Sequence, residues 1–301
     1  MMKELAPGLY HVPGRNKSRF PYCACLYAAG RRARVLIDAG MGASRLAPVQ
    51  EAGIDRLFFT HCHIDHRLTR REIPNVPASC HPLEAPYFCD QKRFLDDLGF
   101  SRGGLELEWM YESDGRLFAM AVSPDLADDA PIDIGGLTLQ PLLTPGHSPG
   151  HLSFYIPEYE LVFTGDIDLT SFGPFYGHDV ADIKAIEASA DRLKALGAKT
   201  VVTGHGGVFT SGIQGRFDAF KAVIEKRHQA ILNLLERPRR LFEIVGRGVI
   251  FSRIPEEGPY RIINRWFEQV HIEKHLDLLQ EAGLVRQDPE TGKWHRRSAA
   301  L

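Results

Sequence analysis

No stretch of the 301-residue sequence stays apolar for the roughly 18 residues that a membrane-spanning helix needs. The amino terminus, MMKELAPGLYHVPG, has neither an apolar core nor a small-residue cleavage pattern, so neither membrane insertion nor export is expected. Cysteine is scarce and poorly arranged for cross-linking. Cys23, Cys25, Cys62, Cys80 and Cys89 are odd in number, lie in the first third and contain no C-x-x-C pair, which points to reduced thiols in a cytoplasmic protein. An excess of either charge is also missing. The 36 Lys and Arg against 38 Asp and Glu leave a formal charge of -2, unlike the strongly basic balance of a dedicated nucleic-acid binder. At 44% hydrophobic and 25% charged, the composition excludes a disordered or fibrous chain and names no function.

What is present is a run of short apolar segments punctuated by turn residues. GLYHV, CACLYAA and ARVLIDAG read as a β-meander, and RLFFTH as a buried strand running directly into a histidine cluster. Residues 82 to 112 read as helical, interrupted at Gly103-Gly104. Strand patterns return in IDIGGLTLQPLL, HLSFYI and ELVFTGD, a helix is expected from about Ala181 to Leu196, and KTVVTGH again ends on a histidine. Two halves, each with strands followed by helices and each delivering histidines from strand ends, outline a duplicated α/β architecture. A long amphipathic helix from about Ile213 to Leu235 ends at ERPRR, which places a domain boundary there and divides the chain into 1-236 and 237-301. LFEIVGRGVI and INRWFEQVHIEKHLDLLQEAG read as helical and LVRQDPETGKWHR as a hairpin, together a small winged-helix-like module, with SAAL as a frayed tail.

His61-Cys62-His63-Ile64-Asp65-His66 packs four candidate metal ligands into six positions. In an extended segment residues two apart face the same way, so His61 and His63 can grip one metal while Asp65 and His66 turn toward a neighbouring one. Cys62, between same-facing histidines, is expected to point away and to serve as a small buried residue. Three further strand ends carry donors beside glycine: LLTPGHSPGH with His147, LVFTGDID with Asp166 and VVTGHGG with His205. His151 is expected to be either a hydrogen-bond partner of a ligand or a structural residue. The aromatic loop DLTSFGPFYGHD, with Phe172, Phe175, Tyr176 and His178, either lines a substrate pocket or packs into the core. In the first case Tyr176 or His178 would donate to an oxyanion or leaving group. His81, His228, His271 and His275 are read as surface or interface residues without chemistry.

Through H-x-H-x-D-H, T-P-G-H-S-P-G-H, T-G-D and the final G-H-G, the sequence resembles the metallo-β-lactamase superfamily and, within it, the glyoxalase II-like branch. The likeness spans roughly residues 9 to 210, and LIDAG with Asp38 matches the superfamily's early strand-end aspartate. It implies an α/β protein of the αββα sandwich type. It further implies His61, His63 and His147 on one metal, Asp65, His66 and His205 on a second, and Asp166 bridging both. Five neutral imidazoles and two carboxylates leave about two positive charges on a pair of divalent ions, so a bridging water should ionise to hydroxide near neutral pH. Zinc is the default, with manganese or iron compatible. Asp65 would orient the hydroxide besides binding metal. The tail lacks the basic residues with which glutathione-thioester hydrolases hold glutathione, so glyoxalase II proper is not expected.

The reading that follows is a binuclear hydrolase of a small ester-like substrate, foremost a thioester. Three alternatives stay open: a phosphodiesterase or ribonuclease whose terminal module holds RNA, a mono-iron sulfur dioxygenase, and a non-enzymatic metal-bound sensor. From Arg237 onward there are three more basic than acidic residues, weak support for nucleic acid against a module that packs, dimerises or walls the active site.

Overall fold

The computed structural model describes residues 2–105, 119–257 and 259–297. The upper part of the expected 82–112 helical stretch and the SAAL tail lie outside the described residues. Six strands form the first sheet in sequential order: β1 (Lys3–Ala6), β2 (Leu9–Val12), β3 (Cys25–Ala29), β4 (Arg34–Ile37), β5 (Arg56–Phe58) and β6 (Ala78–Ser79). The second sheet holds β7 (Ile132–Asp133), β8 (Thr138–Leu143), β9 (Leu152–Ile156), β10 (Leu161–Phe163), β11 (Thr200–Val202) and β12 (Val208–Phe209), also in sequential order. Each sheet is an antiparallel meander that continues through a crossover into parallel pairing, β4 with β5 and β10 with β11. Period-two alternation decides which side chains meet. Leu26, Ala28, Val35, Ile37 and Phe58 face Leu139, Leu152, Phe154, Phe163 and Val202 in the layer between the sheets. Phe58 and Phe154 stack across it with ring centroids 6.0 Å apart.

The alternate residues face outward onto helices. Cys25, Tyr27, Leu36, Leu57 and Phe59 pack under the first half's helical cover, which includes α1 (Ala47–Ala52), α2 (Ile64–Arg67), α3 (Ala85–Cys89) and α4 (Gln91–Asp97). Val162 and Val201 pack under α5 (Ile183–Ala195) and α6 (Ile213–Leu234). The result is the expected four-layer αββα sandwich, both sheets buried on two faces, which is why their strands read as near-continuous apolar runs.

Beyond α6 the structure has one helical turn, α7 (Leu241–Ile244), a long helix, α8 (Pro259–Glu281), and a hairpin of β13 (Val285–Gln287) and β14 (Trp294–Arg296). The helical reading of LFEIVGRGVI holds only for its first four residues, because Gly246 and Gly248 both take positive φ, which ends the helix. The segment also packs back on the sandwich: Ile263, Trp266 and Val270 join the first sheet's outer cluster, and Ile231, Leu232 and Leu235 of the α6 end join the C-terminal cluster. Among the described residues no helix is long and apolar enough to cross a membrane.

Candidate metal centre

Strand ends deliver the donors to one rim of the sandwich: β5 leads to His61, β8 to His147, β10 to Asp166 and β11 to His205, while α2 carries Asp65 and His66. There they form two donor groups, His61, His63, His147 and Asp166, and Asp65, His66, Asp166 and His205, the ligand atoms of each group lying within 4.8 Å of one another. Asp166 belongs to both. Its Oδ2 is 3.1 Å from His147 Nε2 and its Oδ1 is 2.8 Å from His66 Nε2 and 3.4 Å from His205 Nε2. Asp65 Oδ2 lies 3.2 Å from His205 Nε2.

Four of the five imidazoles are oriented by what their other nitrogen touches. His66 Nδ1–H donates to Asp38 Oδ2 at 2.7 Å, His147 Nδ1–H to the Phe175 carbonyl at 3.0 Å, and His205 Nδ1–H to the Ser18 carbonyl at 2.6 Å. His61 Nδ1 meets Thr60 Oγ1 at 2.9 Å, and that hydroxyl is itself bonded to Asp38. With the Nδ1 protons used outward, four Nε2 lone pairs point into the cluster. His63 presents Nδ1 instead, 2.8 Å from His147 Nε2.

So many acceptors in contact call for positive charge between them, from protons or from cations. His66 Nε2 and Asp166 Oδ1, though close, have no hydrogen-bond partner, and neither has His63 Nε2. Burial, with the neighbouring imidazoles, pushes His61 and His63 well below the usual histidine range. Burial would also depress His66, yet Asp166, Asp38 and Asp65 around it drive it well above that range. Burial opposes ionisation of Asp166, but His66, His205 and His147 hold it well below the usual carboxylate value. The protein has thus assembled deprotonated carboxylates and opposed imidazoles that a pair of divalent cations would satisfy together. The donor set fits such a pair.

Four supporting residues complete the frame. Gly40 passes so close to the backbone of Asp65 that any Cβ there would overlap the Asp65 carbonyl oxygen and the Cys23 sulfur. Glu84, fully buried, accepts from the Cys62 N–H at 2.9 Å and the Gly150 N–H at 2.8 Å, tying the H-x-H-x-D-H segment to the His147 loop. Asp168 accepts from the His205 N–H at 2.7 Å, and its burial raises its pKa to about 6. His151 Nε2 accepts from the Asp166 N–H at 3.1 Å and so holds the backbone of that candidate donor. Sequence reasoning missed Glu84 and gave Asp168 no role; the D-x-D spacing at Asp166 marks the second, whereas nothing in H-P-L-E-A-P marks the first. Cys62 is buried in the outer apolar cluster, away from both donor groups.

Above the cluster opens a cavity of about 340 Å³. His63, Asp65, Asp166 and His205 form its floor, and Phe94, Phe100, Phe172, Phe175, Phe251 and Phe267 dominate its wall. The loop after Asp166 divides in two. Phe172, Phe175 and His178 face the cavity, with the His178 ring centroid 4.5 Å from that of His63, its Nδ1 unpartnered, and its pKa lowered to about 3 by burial and by His147. Tyr176 corrects the expectation that it donates to substrate. It is fully buried outside the cavity, donates its hydroxyl to His275 Nε2 at 2.7 Å and accepts from Arg227 at 2.8 Å. His271 and His275 are likewise not surface residues: both are buried, and His271 Nε2 accepts the Tyr176 N–H at 3.0 Å. Their helical spacing on α8 could be seen in the sequence, but not that this face turns inward onto the loop.

The sequence profile of the "Metallo-beta-lactamase superfamily" matches residues 19–205. An Aspergillus fumigatus protein named "Atrochrysone carboxyl ACP thioesterase" is 25% identical over 289 residues, covering 88% of this chain and 80% of its own length. Among solved structures, a metallo-beta-lactamase family protein from Thermus thermophilus superposes with a TM-score of 0.76 at 24% identity, covering 98% of this chain and 100% of that one. A beta-lactamase domain protein from Burkholderia ambifaria gives 0.73 at 19%, covering 98% and 93%.

Proposed function

Since the chain belongs to the metallo-beta-lactamase superfamily and is a hydrolase of that class, we propose that it cleaves thioesters of bulky apolar or aromatic acids at a binuclear metal centre. One observation carries the choice of substrate. The cavity over the donor cluster is walled by aromatic hydrocarbon, and Arg19 at its edge is the one Lys or Arg among the described lining residues. A polyanionic phosphodiester backbone would demand several cations there, whereas an apolar acyl group gains by leaving water for such a wall. A thiolate also departs without needing a proton, so the thioester reading asks no side chain of the lining to act as a general acid. The name of the Aspergillus relative points the same way.

His61, His63 and His147 would hold one ion, Asp65, His66 and His205 the other, and Asp166 both. Bound there, two divalent ions supply an acidified water near neutral pH and Lewis-acid stabilisation of the charge that grows on the acyl oxygen. The donor set contains no thiolate; zinc suits it, and iron or manganese accept the same nitrogens and oxygens. The chain's own contributions are positional. Asp65 offers a carboxylate oxygen at the cavity floor, where it can hold a nucleophilic water by hydrogen bond. His178, neutral and lining the cavity beside His63, is placed to hydrogen-bond a substrate oxygen or the leaving sulfur. Phe175 and Phe267, with ring centroids 5.1 Å apart, exclude water from the scissile bond and orient the acyl group. We assign residues 237-301 the role of completing this wall on the 1-236 catalytic unit, because Phe251, Tyr260, Ile263 and Phe267 all line the cavity.

The test is a panel of compounds sharing one benzoyl or phenyl group, presented as thioester, oxygen ester and phosphodiester to metal-loaded protein. The thioester should have the highest kcat/KM. Cleavage of the phosphodiester with the thioester untouched would overturn the proposal.

A further inference from the structure

Behind the aromatic wall lies a second cleft, of about 460 Å³, whose polar lining is Ser171, Lys226, Arg227, Ser252 and Arg253. It contrasts with the metal cavity in chemistry but is joined to it in structure: Phe172 and Phe251 line both, their ring centroids 5.6 Å apart. Arg227 is only 3% exposed and donates to the carbonyls of Phe172 and Pro174, both at 2.7 Å, and to the Tyr176 hydroxyl. These oxygens carry partial charges, so the guanidinium retains its full unit of positive charge at the base of the cleft. Lys226 and Arg253 stand exposed at its rim. Among the described residues none of the three cations pairs with a carboxylate, although elsewhere on the same layer Lys221 pairs with Asp191 and Lys194 with Asp218. Three uncompensated cations around a concave surface with two hydroxyls concentrate positive potential where an oxyanion can be received.

We propose that this cleft is an anion subsite that holds a phosphate ester on the thiol half of the substrate while the acyl half occupies the aromatic cavity. The proposal rests on the thioester reading for its connection to catalysis, but the cleft's affinity for phosphate does not depend on it. Arg227 ties the two together. The loop it holds through Phe172, Pro174 and Tyr176 is the loop that presents Phe175 and His178 to the metal cavity.

The experiment compares benzoyl thioesters of N-acetylcysteamine, 4′-phosphopantetheine, coenzyme A and a holo acyl carrier protein, in the wild type and in the exposed-residue double variant Lys226→Gln/Arg253→Gln, both metal-loaded. Wild-type kcat/KM should favour phosphorylated thiols over N-acetylcysteamine by about tenfold or more, the worth of one or two charge-assisted contacts. That ratio should fall to within about twofold in the double variant, by the same arithmetic. Whichever phosphorylated arm shows the highest ratio and the greatest fall identifies the free or protein-bound source. A ratio near one in the wild type, or one unchanged in the variant, overturns the proposal. If no thioester is hydrolysed, the catalytic reading fails and the cleft is judged alone, by calorimetric titration of 4′-phosphopantetheine into the same two proteins. At least about tenfold weaker binding in the variant supports it, and equal or undetectable binding in both overturns it.

Discussion

The floor and the wall of the cavity are made of opposite materials and held by opposite means. Every donor on the floor lies between His61 and His205, at a strand end or one turn into a helix, and nearly every imidazole is fixed by a hydrogen bond behind it. The wall is hydrocarbon, drawn from α4, the loop after Asp166 and the C-terminal segment, and held mainly by ring packing. A floor so constrained can carry only a narrow chemistry, whereas a wall of packed rings can change its shape without disturbing the metals. On the proposed function, the floor donors set the reaction and the wall that leans over them sets the choice of substrate.

Replacing floor residues should break the chemistry outright. Asp166→Asn removes the one carboxylate shared by both donor groups, so metal-loaded variant protein should retain less than two ions per chain and lose at least about a thousandfold in kcat/KM. Elemental analysis beside the thioester assay checks both. Next in size, Asp38→Ala strips His66 of the acceptor that fixes its tautomer, and metal affinity measured by competition with a chelator should weaken about 10- to 100-fold. Gly40→Ala should act through the fold, costing about 1–3 kcal/mol in denaturant unfolding as Asp65 is forced away.

Changes in the wall should alter selectivity rather than metal content. Phe267→Ala should raise KM for a benzoyl thioester about tenfold, with a smaller effect on an acetyl thioester and two metals still bound. Equal losses on both would mean that the wall does not read the acyl group. The smallest effect concerns how the wall is docked. His271 receives the Tyr176 N–H at Nε2 and donates Nδ1–H to the Phe267 carbonyl, so it folds as the neutral ring, and burial, followed by Arg227, holds its pKa well below the usual value. The unfolded chain therefore takes up this proton first as pH falls below about 6.5, and the stability that His271 contributes is full above that value and drains away below it. The wild-type melting temperature should fall more steeply between pH 7.5 and 5 than that of His271→Gln, whose amide can donate and accept in the same places.

The floor was largely legible in the sequence because its donors are few, chemically distinctive and placed by strand ends next to glycine. His61, His63, Asp65, His66, His147, Asp166 and His205 all reach one place. What orients them was less visible. Ser18, whose carbonyl holds His205, sits in three consecutive left-handed residues, Asn16, Lys17 and Ser18, a conformation that Asn16 tolerates but that Lys17 and Ser18 do not advertise. Glu84 lay hidden in a stretch that reads only as helical. Tyr176 was misplaced because alternation along a loop is not periodic: Phe175 faces the cavity and its neighbour faces α6 and α8, a choice made by Arg227 and His275 from far along the chain. Local pattern cannot supply partners that lie 51 and 99 residues away.

The central claim, two metal ions sharing Asp166, is tested most directly by an anomalous-scattering map from crystals of metal-loaded protein. Two peaks, one among His61, His63 and His147 and one among Asp65, His66 and His205, with Asp166 between them, are the predicted result. A single peak under full loading would contradict it.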